Sequence, residues 1–178
     1  DPTTIAALAE DVDRALSTVG FMAIRNLGIS AQEVGSVFNA ARAFFEGDAA
    51  VKQRCAYQSA SENFGYQGVA EEHLDPSAPA DLKETFTMRN VAHRPLDDAR
   101  WPTPSFGEKM TVFYTHCLDA AFKLMRVIAH ALDLESEYFV QHHSGENVTL
   151  RLLHYPPVGG RTVEPGQLGA GAHTDYGL

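Results

Sequence analysis

His173-Thr174-Asp175 is the stretch of this 178-residue sequence whose residue types and spacing are best suited to chemistry. On a strand, residues two apart leave the same face with α-carbons about 7 Å apart, so an imidazole and a carboxylate can converge on one metal ion from adjacent rungs. The pair offers one neutral nitrogen and one anionic oxygen. That is part of the two-histidine, one-carboxylate face that holds non-haem Fe(II) while leaving positions for O2 and a co-substrate. Alone, the pair is a weak signal. With 8 His in the chain, chance supplies about one His-x-Asp in every two sequences of this composition. A strand-end His hydrogen-bonded to a nearby Asp has the same spelling.

Other constellations are poorer. Cys55 and Cys117 stand outside any C-x-x-C or C-x-x-H pair, which removes the support for a zinc ribbon or redox dithiol and leaves two reduced thiols in a cytoplasmic protein. Counting 23 acidic against 14 basic residues gives a net charge of −9, a field that repels phosphate backbones and anionic lipid. Nucleic acid and membrane are therefore not expected partners. No apolar run approaches the roughly 20 residues of a membrane span. Asp1-Pro2-Thr3-Thr4 has neither the positive n-region nor the apolar h-region of a signal peptide, and the missing initiator Met suggests a true start upstream. Composition is that of an ordinary globular domain, and length alone suggests one, since about 100–200 residues is the usual unit.

The elements that must position His173 and Asp175 can be read from periodicity. Ile5, Leu8, Ala9, Val12, Leu16 and Val19 recur at spacings of three and four, predicting a helix capped by Thr3 or Thr4 and ended by Gly20. Phe21–Arg25 reads as a short buried strand. Ser30 and Glu33 form a capping box for a helix that runs to Gly47, and Asp48 caps a short one through Arg54. Phe64–Gly68 and Glu84–Met88 read as strands, the second with Glu84, Phe86 and Met88 on one face. Ser105 and Glu108 spell a second capping box, opening a helix to about Leu132, roughly 40 Å long at 1.5 Å per residue. Its predicted stripe is Met110, Phe113, Cys117, Ala121, Leu124 and Ile128. A shorter helix is expected over 136–142, a strand over Val148–Tyr155, a Gly- and Pro-rich loop from Pro156 to Gly171, and a strand over Ala172–Leu178.

Four segments, in order, carry a resemblance. They are Gly20-Phe21-Met22-Ala23-Ile24-Arg25-Asn26-Leu27-Gly28-Ile29, Asp81-Leu82-Lys83-Glu84-Thr85-Phe86, Leu150-Arg151-Leu152-Leu153-His154-Tyr155-Pro156-Pro157 and Gly171-Ala172-His173-Thr174-Asp175-Tyr176-Gly177-Leu178. With the long helix between the second and third, the chain resembles the isopenicillin-N-synthase-like branch of the Fe(II)- and 2-oxoglutarate-dependent dioxygenases over essentially its whole length. The resemblance implies an α+β fold, a double-stranded beta-helix (jelly roll) core with a helical N-terminal region and a long backing helix. Residues 1–100 would form the N-terminal helical and strand region. Residues 101–178 would form the long helix and the first part of the jelly-roll core, in one structural unit whose barrel is incomplete.

What the resemblance implies for the site is equally specific. His173 and Asp175 match the first two iron ligands, and Tyr155 matches a position that often contacts 2-oxoglutarate or substrate. Many relatives carry Asn two residues before that Tyr, whereas this chain has Leu153. Phe86 and Met88 match a region that helps wall the substrate cavity. The third ligand, a distal His, and an Arg for the 5-carboxylate of 2-oxoglutarate would lie beyond Leu178, so the sequence reads as the N-terminal and central part of a longer enzyme. His73, His93, His116, His130, His142, His143 and His154 read as surface or structural residues. The implied activity is oxidation, by default hydroxylation, of a small organic substrate with Fe(II), O2 and 2-oxoglutarate, releasing succinate and CO2. The alternatives are an oxidase of the same fold that dispenses with 2-oxoglutarate, and a non-catalytic jelly-roll binding module without a complete metal site.

Overall fold

A computed structural model describes residues 2–73, 77–160 and 162–174. Among the described residues four α-helices are formed: α1 (Pro2–Thr18), α2 (Ala31–Phe45), α3 (Ala49–Arg54) and α4 (Pro104–Ala131). Among the described residues three strands, β1 (Phe64–Gln67), β2 (Glu84–Arg89) and β3 (Thr149–His154), make one antiparallel sheet in that order. No helix of the described residues is long and apolar enough to cross a membrane. The chain divides into two compact units: Asp1–Val37 with Lys109–Val148, and Phe38–Glu108 with Thr149–Leu178.

Within the first unit, α1 and α2 form where the apolar periodicity places them. The Ser30 hydroxyl accepts from the Glu33 amide at 3.1 Å, the forward arm of a capping box. The return arm is diverted, because the Glu33 carboxylate instead lies 2.7 Å from His116 Nδ1 on α4. The α4 stripe is rotated from the expected one. In this unit Met110, Tyr114, Ala120, Met125 and Ala129 are its buried residues, and the Tyr114 hydroxyl donates to the Val148 carbonyl at 3.1 Å. The helix expected over 136–142 is reduced to turns and a 3-10 turn at Val140–His142.

The second unit holds the sheet. Side chains alternate across it, so the pairs Phe64↔Met88, Tyr66↔Phe86, Phe86↔Leu152 and Glu84↔His154 define one face. Phe86, wholly buried, is its centre, with ring centroids of Phe44 at 5.1 Å and of Phe64 and Phe106 at 5.5 Å, all edge-on. Phe44 and Phe106 come from α2 and α4, so this face is the one the helices cover. The opposite face carries Thr85, Thr87 and Arg89 with Arg151 and Leu153. Asp48 accepts from the Ala50 amide at 2.7 Å and caps α3 as expected.

Helix α4 starts earlier than the Ser105/Glu108 box predicts. Thr103 is the residue whose hydroxyl accepts from the Phe106 amide at 3.1 Å, and Pro104 occupies the first helical position, where its missing N–H costs nothing. Ser105 is thus inside the helix. In the same turn Gly107 lies against the buried Trp101 indole, and an added Cβ would come within 2.9 Å of its ring carbons. Ala is better than Gly in a helix by about 1 kcal/mol, but overpacking a close-packed site costs about 1–3 kcal/mol. The clash should win. Gly107→Ala is expected to lower stability by about 1 kcal/mol in urea unfolding, and a stabilised variant would show that Trp101 moves freely.

Two stretches expected as strands have no ladder. Phe21–Arg25 is not a strand and Phe21 is 84% exposed, because no described strand supplies its hydrogen-bonding partner. Ala172–Thr174 is likewise not in a strand among the described residues, and the rest of the strand expected to Leu178 lies outside them.

Candidate metal centre

His173 is exposed, and its Nδ1 lies 2.8 Å from the carbonyl oxygen of Gly171. A carbonyl can only accept, so Nδ1 carries the hydrogen and the imidazole lone pair is on Nε2. Anchoring one ring nitrogen on a backbone carbonyl is the usual way a metal-binding imidazole is oriented. The donor chemistry of His173 therefore fits a divalent metal through Nε2. Asp175, its expected partner, lies outside the described residues. Among the described residues no group of three or more His, Cys, Asp or Glu is placed to hold a metal ion.

The segment leading to His173 is fastened to the residues just before β2. The Gln167 side chain donates to the Ala80 carbonyl at 2.8 Å, the Leu82 amide to the Leu168 carbonyl at 2.8 Å, and the Gly171 amide to Asp81 Oδ1 at 2.8 Å. Asp81 is itself held by Lys83, and both residues are only 2% exposed. Lys83 Nζ also reaches Glu72 at 3.1 Å, and Glu72 takes Arg151 Nη2 at 2.7 Å. Burial lowers the Lys83 pKa, but hydrogen bonds from its ammonium to Asp81 and Glu72, with their charges, outweigh it and raise it above the ordinary lysine value.

Tyr155 follows β3 directly and is about half exposed at 52%. Its ring lies beside Gly169, where an added Cβ would come within 3.1 Å of Cδ1. Tyr155 and the Gly169–His173 stretch are thus neighbours. Phe86 and Met88, the residues expected to wall the substrate cavity, are both wholly buried on the helix-covered face, Phe86 among the rings of Phe44, Phe64 and Phe106 and Met88 opposite Phe64 in the sheet. Antiparallel register sets them opposite Leu152 and Leu150, one position out of phase with Arg151 and Leu153, so they are core residues and do not line an open cavity on the Arg151 face. His154 shares their face, with its Nδ1 2.7 Å from Glu84, and has a structural place. The functional reading of the sequence missed Asp81, Lys83 and Glu72. Asp81 and Lys83 stand in one of the four segments that carry the resemblance, but Asp-x-Lys ahead of a strand reads, on sequence terms, as a solvated turn.

Residues 1–105 match the family described as non-haem dioxygenase in morphine synthesis N-terminal. The chain belongs to this family. It is 29% identical to a 2-oxoglutarate-Fe(II) type oxidoreductase, ppzD, of Metarhizium majus, over 99% of its own length and 58% of that protein. It is 31% identical to the validamycin A dioxygenase of Streptomyces hygroscopicus subsp. limoneus, over 99% of its length and 52% of that protein. A full-length Neurospora crassa protein, crystallised in complex with alpha-KG, superposes with a TM-score of 0.80 at 28% identity, covering 99% of this chain and 57% of that one. The chain therefore spans a little over half the length of the proteins it matches. Their names place it among the 2-oxoglutarate–Fe(II) dioxygenases, the superfamily that its four segments resemble, and Fe(II) and 2-oxoglutarate are the cofactors those relatives carry in name.

Proposed function

We propose that the protein is a non-haem Fe(II)- and 2-oxoglutarate-dependent oxygenase that hydroxylates a small organic substrate and releases succinate and CO2. The observation that carries this reading is the His173 imidazole, fixed through Nδ1 on Gly171 so that Nε2 is the donor, in a chain of the dioxygenase family. His173 Nε2 and the Asp175 carboxylate would be the first two of its three metal ligands. When bound, the iron and 2-oxoglutarate supply the oxidising chemistry, and the chain supplies position and exclusion of water. Tyr155, half exposed with its ring beside Gly169, would contact the co-substrate or the substrate. Leu153, on the sheet face opposite Phe86, would not supply the hydrogen bond that the Asn of many relatives could make to the co-substrate.

The jelly roll is the fold this reading requires, with the described three-stranded sheet as part of it. Relatives named for 2-oxoglutarate weigh for that co-substrate over the oxidase that dispenses with it. The same Neurospora crassa protein has been crystallised with thymine and with 5-formyluracil, which supports a substrate of small-molecule size here. A cytoplasmic location belongs to the same proposal. Anaerobic addition of Fe(II) and 2-oxoglutarate to the protein should give a weak visible charge-transfer band that is lost in His173→Ala. A band of undiminished intensity in that variant would refute the ligand assignment.

A further inference from the structure

The buried charges beside the site have a role that the metal ligands do not explain. Glu72, Asp81, Lys83 and Arg151 form one connected chain of ion pairs, from Arg151 Nη2 through Glu72 and Lys83 to Asp81. Two carboxylates against two cations leave it electrically balanced, so the cluster is no anion site, although it holds two cations. A buried ion pair is also a weak stabiliser, since its desolvation cost offsets most of the attraction. What the cluster does is end on a ligand segment. Asp81 Oδ1 takes the Gly171 amide at 2.8 Å, and the Gly171 carbonyl takes His173 Nδ1 at 2.8 Å.

We infer that Asp81, locked by Lys83, is a positioning residue for the metal centre, acting through Gly171 to fix where the His173 imidazole points. The inference rests on the oxygenase reading of His173. The relay uses both sides of one residue. Asp81 holds the N–H of Gly171, Gly171 holds the N–H of His173, and the Lys83 ammonium, buried against Asp81, holds that carboxylate in place. The neighbouring bonds from Gln167 to Ala80 and from Leu82 to Leu168 hold the same two segments in register, so the relay is not a lone contact.

Titration of the full-length protein with Co(II), followed by its visible d–d absorption, tests this without turnover. Removing an outer-shell partner of this kind costs about 10–100-fold in metal affinity, so Asp81→Ala should weaken Co(II) by about that factor. Asp81→Asn, which keeps an acceptor oxygen for Gly171, should recover part of the loss. Gly107→Ala, destabilised at a site remote from the relay in sequence and in bonding, should bind Co(II) like the unaltered protein. Equal affinity in Asp81→Ala and the unaltered protein would overturn the positioning role, as would an equal loss in Gly107→Ala. If His173→Ala binds Co(II) as well as the unaltered protein, the oxygenase reading falls and the relay with it. Should Asp81→Ala not fold, hydrogen exchange of the Gly171 amide in the unaltered protein decides: protection supports the relay, and exchange at the rate of an open chain overturns it.

Discussion

Gly65→Ala should be among the most destabilising single-methyl changes in the chain, lowering stability by about 4 kcal/mol in urea unfolding. Gly65 sits in β1 with φ of +124°, a conformation L side chains rarely adopt, and holding a non-glycine residue in such a region costs about 1–3 kcal/mol. Space is the second obstacle. An added Cβ would lie 2.7 Å from the Cys55 carbonyl oxygen and 2.8 Å from both the amide nitrogen and the α-carbon of Tyr57. These are backbone atoms, so no rotamer change relieves the clash. Separating the segments would break the 2.8 Å bonds from the Tyr66 amide to Cys55 and from the Tyr57 amide to Tyr66, leaving buried groups unpaired beside Phe64. A variant whose stability stays within about 1 kcal/mol of the parent would mean that the 55–57 strip is loosely held.

Glu84→Leu is the second large effect, a loss of about 3 kcal/mol near pH 7. The Glu84 carboxylate is 5% exposed and is shared by three partners: the Tyr66 hydroxyl, Lys52 Nζ at 3.1 Å and His154 Nδ1 at 2.7 Å. Removing it takes one shared acceptor from Tyr66, Lys52 and His154, and breaking one side of a buried pair is worth about 3–5 kcal/mol. Lys52 also donates to the Phe45 carbonyl at 2.9 Å, which keeps part of its satisfaction and holds the figure at the lower end. Changing Lys52→Met in the same chain should restore part of the loss.

The pH dependence has a definite sign. Burial pushes the Glu84 pKa up, but hydrogen bonds from Tyr66, His154 and Lys52, with the Lys52 charge, outweigh it and hold the carboxyl below its ordinary value of 4.5. A carboxyl depressed on folding stabilises the folded state above its unfolded pKa, and that contribution disappears as pH falls through the folded one. The stability gap between the parent and Glu84→Leu should therefore be widest above about pH 4.5 and close on acidification. A gap that stays constant between neutral and strongly acidic pH would show that Glu84 matters by shape alone.

Much of the chain was legible before any coordinates. Periodicity of three and four located α1, α2 and α4, the Ser30 and Asp48 hydroxyl and carboxylate oxygens marked true helix starts, and alternation put Glu84, Phe86 and Met88 on one face of β2. These signals are local. Each depends on side chains a few residues apart along one element, and the four ordered segments pointed to the dioxygenase family by the same short-range spelling.

What was not legible involves a partner distant in sequence. Phe21–Arg25 is as apolar as β3, yet a strand exists only where another supplies its ladder. Thr103 displaces the Ser105 cap because Pro104 is pre-set for the first helical position, and Tyr114 turns the α4 stripe by reaching Val148. The same limit applies at the site. By itself the sequence singled out His173 and Asp175 as candidate donors, set the strand phase that separates Tyr155 from His154, and pointed to the family. Only the tertiary structure decided which face of β2 is core, enclosing Phe86 and Met88, and it alone joined Asp81 to Gly171 across 90 residues. Residue type and spacing follow from the covalent chain, whereas a buried charge is tolerated only where folding brings its counter-charge and its donors to it.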